Sequence, residues 1–276
     1  MGRYFLNPEI SLTMTRLHSL RLHLPLGLVI AVGLFACTTV PDTGRRSFNF
    51  IPNSHLNEMG LTEFEKMKSQ KRLSQNGTQL AAVARVAGRL KPVIPIQNAQ
   101  WEFVLFDDAE PNAFALPGGK VGVNSGIFKV ARTEAQLAAV VGHELAHVVA
   151  GHSGERMSTG MLSTAAVVGV GLLMGDDASD AQRAAATSGA GAIAGLGMLR
   201  FSRGQELEAD KLGALYMARA GYDPRESIAL WKNFSAYEGK TTSSRSAEFL
   251  STHPLDSTRI STLEAWMPRA LEEYRP

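Results

Sequence analysis

Cysteine is almost missing from this chain of 276 residues: Cys37 is the only one. One cysteine closes no internal disulfide, and a zinc site built on thiolates is excluded. An excess of charge is missing as well. The 28 Lys and Arg stand against 26 Asp and Glu, a formal net charge of +2. The basic residues are scattered and lack aromatic clusters between them, so no nucleic-acid partner is expected. Near the amino terminus the uncharged apolar run Leu24 to Ala36 has only thirteen residues, short of the roughly 20 that cross a bilayer as a helix. No repeat of solenoid length interrupts the chain. What remains is an ordinary globular composition, 45% hydrophobic and 20% charged, enough for one large domain or two small ones. Any metal must be held by His, Asp or Glu.

The first 36 residues read as an address. Arg3, Arg16 and Arg21 precede the apolar run, the order of a secretory signal peptide, and Met14 offers a second start that gives a shorter leader. The tetrapeptide Leu34-Phe35-Ala36-Cys37 resembles a bacterial lipobox, with Phe35 bulkier than that pattern prefers. It implies lipidation at Cys37, and buried acyl chains contribute about 0.8 kcal/mol per methylene to membrane attachment. Thr38 after the cysteine favours, by resemblance to sorted lipoproteins, the outer membrane. The expected location is therefore the periplasmic side of a bacterial envelope, with a lipid-anchored membrane contact. Residues 37–55, polar with Pro and Gly, read as the tether, and 56–276 as the domain.

Along the domain, Leu56–Met67 and Thr78–Leu90 have helical apolar spacing, the second placing Leu80, Val83, Ala84, Ala87 and Leu90 on one side. Trp101–Phe106 reads as a strand, and Asn112–Gly126 as two strands around Pro117-Gly118-Gly119. A helix is expected from near Thr133 through Ala150. Two apolar pieces, 161–174 and 188–199, flank the polar GDDASDAQR and read as a helical hairpin or a flap facing membrane or substrate. Gln205–Ala220 reads as an amphipathic helix closed by Gly221, 239–247 as a mobile loop, and Leu255–Leu271 as the last helix.

Of seven histidines, His143, His147 and His152 fall within ten residues. His143-Glu144-Leu145-Ala146-His147 puts two imidazoles at i and i+4 on one helix face, about 6 Å apart. That spacing suits one zinc ion held by three protein ligands, its fourth position open. Glu144 lies beside that position as a general base. A metzincin third ligand is excluded, because Ala150 and Ser153 stand where a glycine and a histidine are required. His152 is one position short and reads as a helix-end cap facing the helix dipole, or less favourably as a ligand. The third ligand is sought in Phe201–Asp210. There Glu206 and Asp210 share a face at i and i+4, so one can bind zinc while the other orients a ligand histidine. Glu208, on another face near Lys211, reads as a solvated charge.

HELAH, SRGQELEAD, the upstream NAFALPGG and the downstream STHPLDSTRI together resemble the zinc metallopeptidase family of the CAAX prenyl endopeptidase and the bacterial heat-shock peptidase HtpX, over roughly residues 40–270. The periplasmic lipoprotein branch is the nearest in pattern. The resemblance implies an α+β, mainly helical, zincin-like metallopeptidase domain with a small antiparallel β-sheet. It implies one Zn2+ per chain on His143, His147 and Glu206, with Glu144 as the general base and Asp210 as the supporting acid. Asn112, Ala113, Phe114, Ala115 and Leu116 would bind substrate as an added strand, or form a plain structural hairpin. His253, before Pro254 at the start of the final helix, would stabilise an oxyanion or close the site as a fourth ligand; Arg259 would brace this segment against a carboxylate.

The expected function is a zinc-dependent endopeptidase hydrolysing peptide bonds of unfolded or misfolded envelope proteins in quality control, with outer-membrane assembly machinery as a further partner. The alternative is an envelope chaperone or assembly lipoprotein whose zinc site stays mostly shut. Glu144 beside the open position favours the enzyme.

Overall fold

A computed structural model describes residues 37–174, 201–238, 248–255 and 257–276. The expected leader, the second apolar piece 188–199, its polar GDDASDAQR neighbour and the loop 239–247 lie outside those residues. Two short strands, β1 (Cys37–Thr39) and β2 (Arg46–Phe48), open the fold as an antiparallel hairpin. Helices α1 (Asn53–Gln70) and α2 (Gly77–Leu90) lead to β3 (Glu102–Phe106), β4 (Ala113–Leu116) and β5 (Lys120–Asn124). After a 3-10 turn come α3 (Glu134–Val149), α4 (His152–Met174), α5 (Arg203–Arg219), α6 (Glu226–Glu238), the short α7 (Glu248–Thr252) and α8 (Ser257–Glu273). Among the described residues, no helix is long and apolar enough to cross a membrane.

The segment expected to be a tether is built into the domain. Val40 and Ser47 are buried. The hairpin turn is fastened to α5 twice: Arg219 clasps Asp42 at 2.7 and 3.0 Å, and Arg45 reaches Glu208 at 2.6 Å. A polar composition hid this, because ion pairs do much of the holding and only a few apolar side chains such as Val40 reach the core.

The sheet has the order β3-β5-β4. As expected, β4 and β5 form an antiparallel hairpin around Pro117–Gly119, but β3 joins β5 in parallel, so the sheet is mixed. The whole of β5 is buried, and Gly122 must lack a side chain, since a Cβ there would meet the Phe114 ring at 2.2 Å. Among the described residues β4 pairs with no strand but β5, and its other edge lies beside α3.

Helix starts follow their caps. Asn76, Thr133 and Ser202 accept backbone N–H bonds from Gln79, Gln136 and Gln205, and Ser202 with Gln205 forms a reciprocal box. In α2 the buried stripe is Val83, Val86, Ala87 and Leu90; Leu80 is 39% exposed and Ala84 faces outward, so three of the five expected residues hold and Val86 takes the place of the other two. Nor is α5 amphipathic: Gln205, Glu206, Glu208 to Asp210 and Leu212 to Ala218 are all buried. It runs through the interior against α3, with the hairpin closing its outer side.

The two helices approach backbone to backbone at Gly142 and Gly213. A Cβ on Gly213 would lie 2.9 Å from the His143 nitrogen, and one on Gly142 would lie 3.2 Å from the Gly213 oxygen. Only a glycine pair lets the axes come this close, and the closeness brings α5 carboxylates to α3 imidazoles. A second, smaller apolar cluster of Ile51, Leu56, Phe64, Leu116 and Met157 fixes α1 and α4 to β4.

Candidate active site

His143 and His147 sit one turn apart inside α3, both buried. Glu206 enters from the first turn of α5, and His253 from the residue after α7 rather than from the start of the last helix. One donor atom from each of these four residues lies within 4.8 Å of every other. The Nε2 atoms of His143 and His147 are 3.2 Å apart, and His143 Nε2 is 3.3 Å from His253 Nδ1. Glu206 oxygens lie 3.5 Å from His143 Nε2, 3.4 Å from His147 Nε2 and 3.1 Å from His253 Nδ1.

This donor set fits a zinc ion on three grounds. Arms of about 2.0–2.1 Å define a tetrahedron with edges of about 3.3 Å, the spacing found here. The chemistry matches too, three imidazoles and one carboxylate. Charge supplies the third ground: the buried carboxylates of Glu206 and Asp210 share the single buried guanidinium of Arg259, an excess of negative charge that a divalent cation balances.

Each member is fixed from behind. His143 Nδ1 is 3.0 Å from Asp210 Oδ1. Asp210 is clasped by Arg259 at 2.7 and 2.8 Å, and Arg259 also reaches Glu206 Oε2 at 2.8 Å. The same guanidinium lies over the Trp231 ring at 4.5 Å and bonds the carbonyls of His253 and Pro254. Arg259 thus braces the His253 segment against two carboxylates, as expected. Trp231 meets His143 edge-on, Phe201 stacks on His147 with centroids 3.9 Å apart, and Phe249 stacks on His253 at 4.6 Å.

Burial raises a carboxyl, yet the hydrogen bonds from His143, His147 and His253 hold Glu206 well below the usual range. Asp210 is likewise lowered against its burial, by Arg259 and His143. His147, buried, falls well below the ordinary histidine value, so it is neutral and offers a lone pair. Against the lowering effect of burial, Asp210 and Glu206 raise His143. Burial pushes Glu144 up to about 7 against the pull of His253 and Arg259; a cation bound among the four donors would draw it back down.

Glu144 stands beside the cluster, with Oε1 3.5 Å from His253 Nε2; that oxygen is buried and has no hydrogen-bond partner among the described residues. The backbone of Ala115 bonds its carboxylate, which ties the base to β4. Residues Asn112 to Leu116 form one wall of a cleft of about 100 Å³ that also meets Glu144, His147, Phe201 and His253.

Two expectations are corrected. His152 is not a cationic cap at the helix dipole; it begins α4, fully buried, with Nδ1 2.8 Å from His147 Nδ1 and Nε2 2.9 Å from Glu208. Burial lowers His152 below its ordinary value despite Glu208. Nor is Glu208 solvated: it is 7% exposed and accepts bonds from His152, Thr43 and Arg45. These overcome the opposing effect of burial and bring it to about 2. Lys211 lies instead over Trp266. Sequence reading also missed Phe201, Trp231 and Phe249, which carried no signal beyond aromatic character.

The model of peptidase family M48 matches residues 70–267. The mitochondrial metalloendopeptidase OMA1 of Schizosaccharomyces pombe is 35% identical over 84% of this chain and 66% of its own length. OMA1 of Saccharomyces cerevisiae is 35% identical over 65% of this chain and 50% of its length. The β-barrel assembly-enhancing protease of Escherichia coli is 28% identical over 80% of this chain and 46% of its length. The chain thus spans no more than about two thirds of these relatives. Matches to mitochondrial proteins overturn the expected placement at the periplasmic side of a bacterial outer membrane. They also leave the expected branch at the level of the family as a whole. With a match across most of its length and its HExxH helix inside that match, the chain belongs to peptidase family M48, a metalloendopeptidase family.

Proposed function

We propose that this chain is a zinc-dependent endopeptidase that hydrolyses peptide bonds in unfolded or misfolded proteins, a quality-control role. The observation that carries the reading is the position of Glu144, whose carboxylate lies beside the four-donor cluster and lines one cleft with β4. A purely structural metal site gives no reason for a buried carboxylate there.

His143, His147 and Glu206 would hold the zinc. When bound, it supplies Lewis acidity, which polarises a carbonyl and makes water a stronger nucleophile. Main-chain groups of Asn112 to Leu116 pair with an extended substrate strand, a mode that ignores side-chain identity and suits unfolded chains. Beyond Leu116 the cleft adjoins a cavity of about 370 Å³ along Pro117, Gly118 and the end of α3. Its described lining contains no Asp, Glu, Lys or Arg, so it accommodates uncharged substrate side chains. Glu144 takes a proton from the attacking water as the oxygen bonds to the carbonyl carbon. As the carbon–nitrogen bond breaks, Glu144 passes that proton to the leaving amine. Asp210 keeps His143 oriented through the reaction.

His253 favours a second reading. Its Nδ1 stands 3.3 Å from His143 Nε2 and 3.1 Å from Glu206, and four protein donors describe a closed metal site. In that reading the chain binds client proteins with the site shut, and His253 must withdraw before turnover. Once it has withdrawn, its ring can donate to the oxyanion.

Incubation of the purified chain with casein tests the enzymatic reading. A metal chelator should abolish cleavage and added zinc should restore it. Cleavage that persists at full rate in chelator removes the zinc mechanism.

A further inference from the structure

His152 is not among the four donors, and no step above uses it. Yet both of its ring nitrogens are engaged at short distance, 2.8 Å to His147 and 2.9 Å to Glu208. Two ring nitrogens this close share one proton: one donates and the other accepts. The rest of the chain decides which. Glu208 accepts from Thr43 Oγ1 and from Arg45 Nε, each at 2.6 Å, and Arg45 is held in turn by Glu155 at 2.8 and 3.0 Å. A carboxylate fixed by a guanidinium is an acceptor, so His152 must place its proton on Nε2 and donate it to Glu208. In its neutral form His152 then has a lone pair on Nδ1. His147 must donate its Nδ1 proton to that lone pair, which leaves His147 Nε2 bare and directed into the donor cluster.

We propose that His152 is a positioning residue that fixes His147 in its metal-binding tautomer, and that Glu208, held by Thr43 and Arg45 of the hairpin turn, sets His152. The inference rests on the metal reading above and deepens it. The turn between β1 and β2 thereby governs how tightly the metal is held, although none of its residues touches the site. Partners of this kind, behind a metal-binding histidine, typically change metal affinity 10- to 100-fold when removed.

The test uses the full chain and its His152→Leu, His152→Asn and Glu208→Gln variants. Zinc affinity is measured by competition with a chromophoric chelator, and the thermal midpoint of the metal-free protein is recorded beside it. His152→Leu should weaken zinc about 10- to 100-fold with the metal-free midpoint little changed. His152→Asn, which restores an acceptor oxygen towards His147, should recover most of the loss. Glu208→Gln should fall between them. Long-range proton–nitrogen NMR of the zinc-loaded wild type should show His147 protonated on Nδ1.

Wild-type affinity in a folded His152→Leu protein overturns the proposal, as does a His147 proton on Nε2. Where His152→Leu does not fold, undiminished affinity in Glu208→Gln overturns it. A wild-type chain that binds no zinc overturns the metal reading itself, a result distinct from each of these.

Discussion

His143 and His147 stand one turn apart on the same helix, yet they are held by different means. Behind His143 is a carboxylate, Asp210, locked by Arg259 from α8. Behind His147 is another imidazole, His152, which leans on Glu208 and through it on the hairpin turn. The first brace is charged, short and wholly buried. The second passes a tautomer through a neutral ring and ends at Arg45, whose side chain is about one third exposed. The contrast teaches that two histidines of one candidate metal site need not respond alike to the rest of the fold: the His143 side depends on the carboxyl-terminal helices, the His147 side on the first strands.

Arg259→Met breaks the His143 side most severely. It leaves Asp210 and Glu206 buried beside each other without their shared cation, a loss worth about 3–5 kcal/mol. Thermal unfolding of the metal-free protein should show a drop of many degrees, and zinc should recover part of it. A midpoint equal to wild type would mean that Arg259 is not the main counter-charge.

Asp210→Asn is milder and compares the braces directly. The amide keeps the shape of the side chain but weakens the hold on the His143 ring. Zinc affinity measured by chelator competition should fall about 10- to 100-fold. A loss far smaller than that of His152→Leu would show that the metal depends more on the brace behind His147 than on the one behind His143.

Gly213→Ala acts on both sides at once. Alanine favours a helix by about 1 kcal/mol over glycine, but here its Cβ would meet His143 backbone at 2.9 Å. The contact is with backbone, which yields poorly, so overpacking wins. Net destabilisation of about 1–3 kcal/mol is expected in denaturant titrations. A stabilised variant would show that α3 and α5 are free to move apart.

Much of the His143 side was legible in the sequence, because its residues recur at helical spacing: 143 and 147 on α3, 206 and 210 on α5. The boundaries of α3 were legible for the same local reason, with Thr133 in the cap position. The His147 side was not. Thr43 and Arg45 are far along the chain from His152, and His152 from Glu208, and the polar hairpin that unites them had the composition of a tether. Once the hairpin covers α5, a glutamate that alternation assigns to solvent becomes interior. His253 was found through its motif, but its place after α7 depends on the short helix Glu248–Thr252, which left no periodic signature. The parallel partner of β5 was also unreadable, since the sequence reveals strands and tight turns but not which strand a third one joins.

The most direct test of the chemistry is Glu144→Gln assayed on casein with its zinc content measured in the same preparation. Glutamine keeps the shape and cannot take the proton. Zinc should remain at one per chain while turnover falls about 10²- to 10⁴-fold. Cleavage at the wild-type rate by a zinc-loaded Glu144→Gln protein would contradict the assignment of Glu144 as the base.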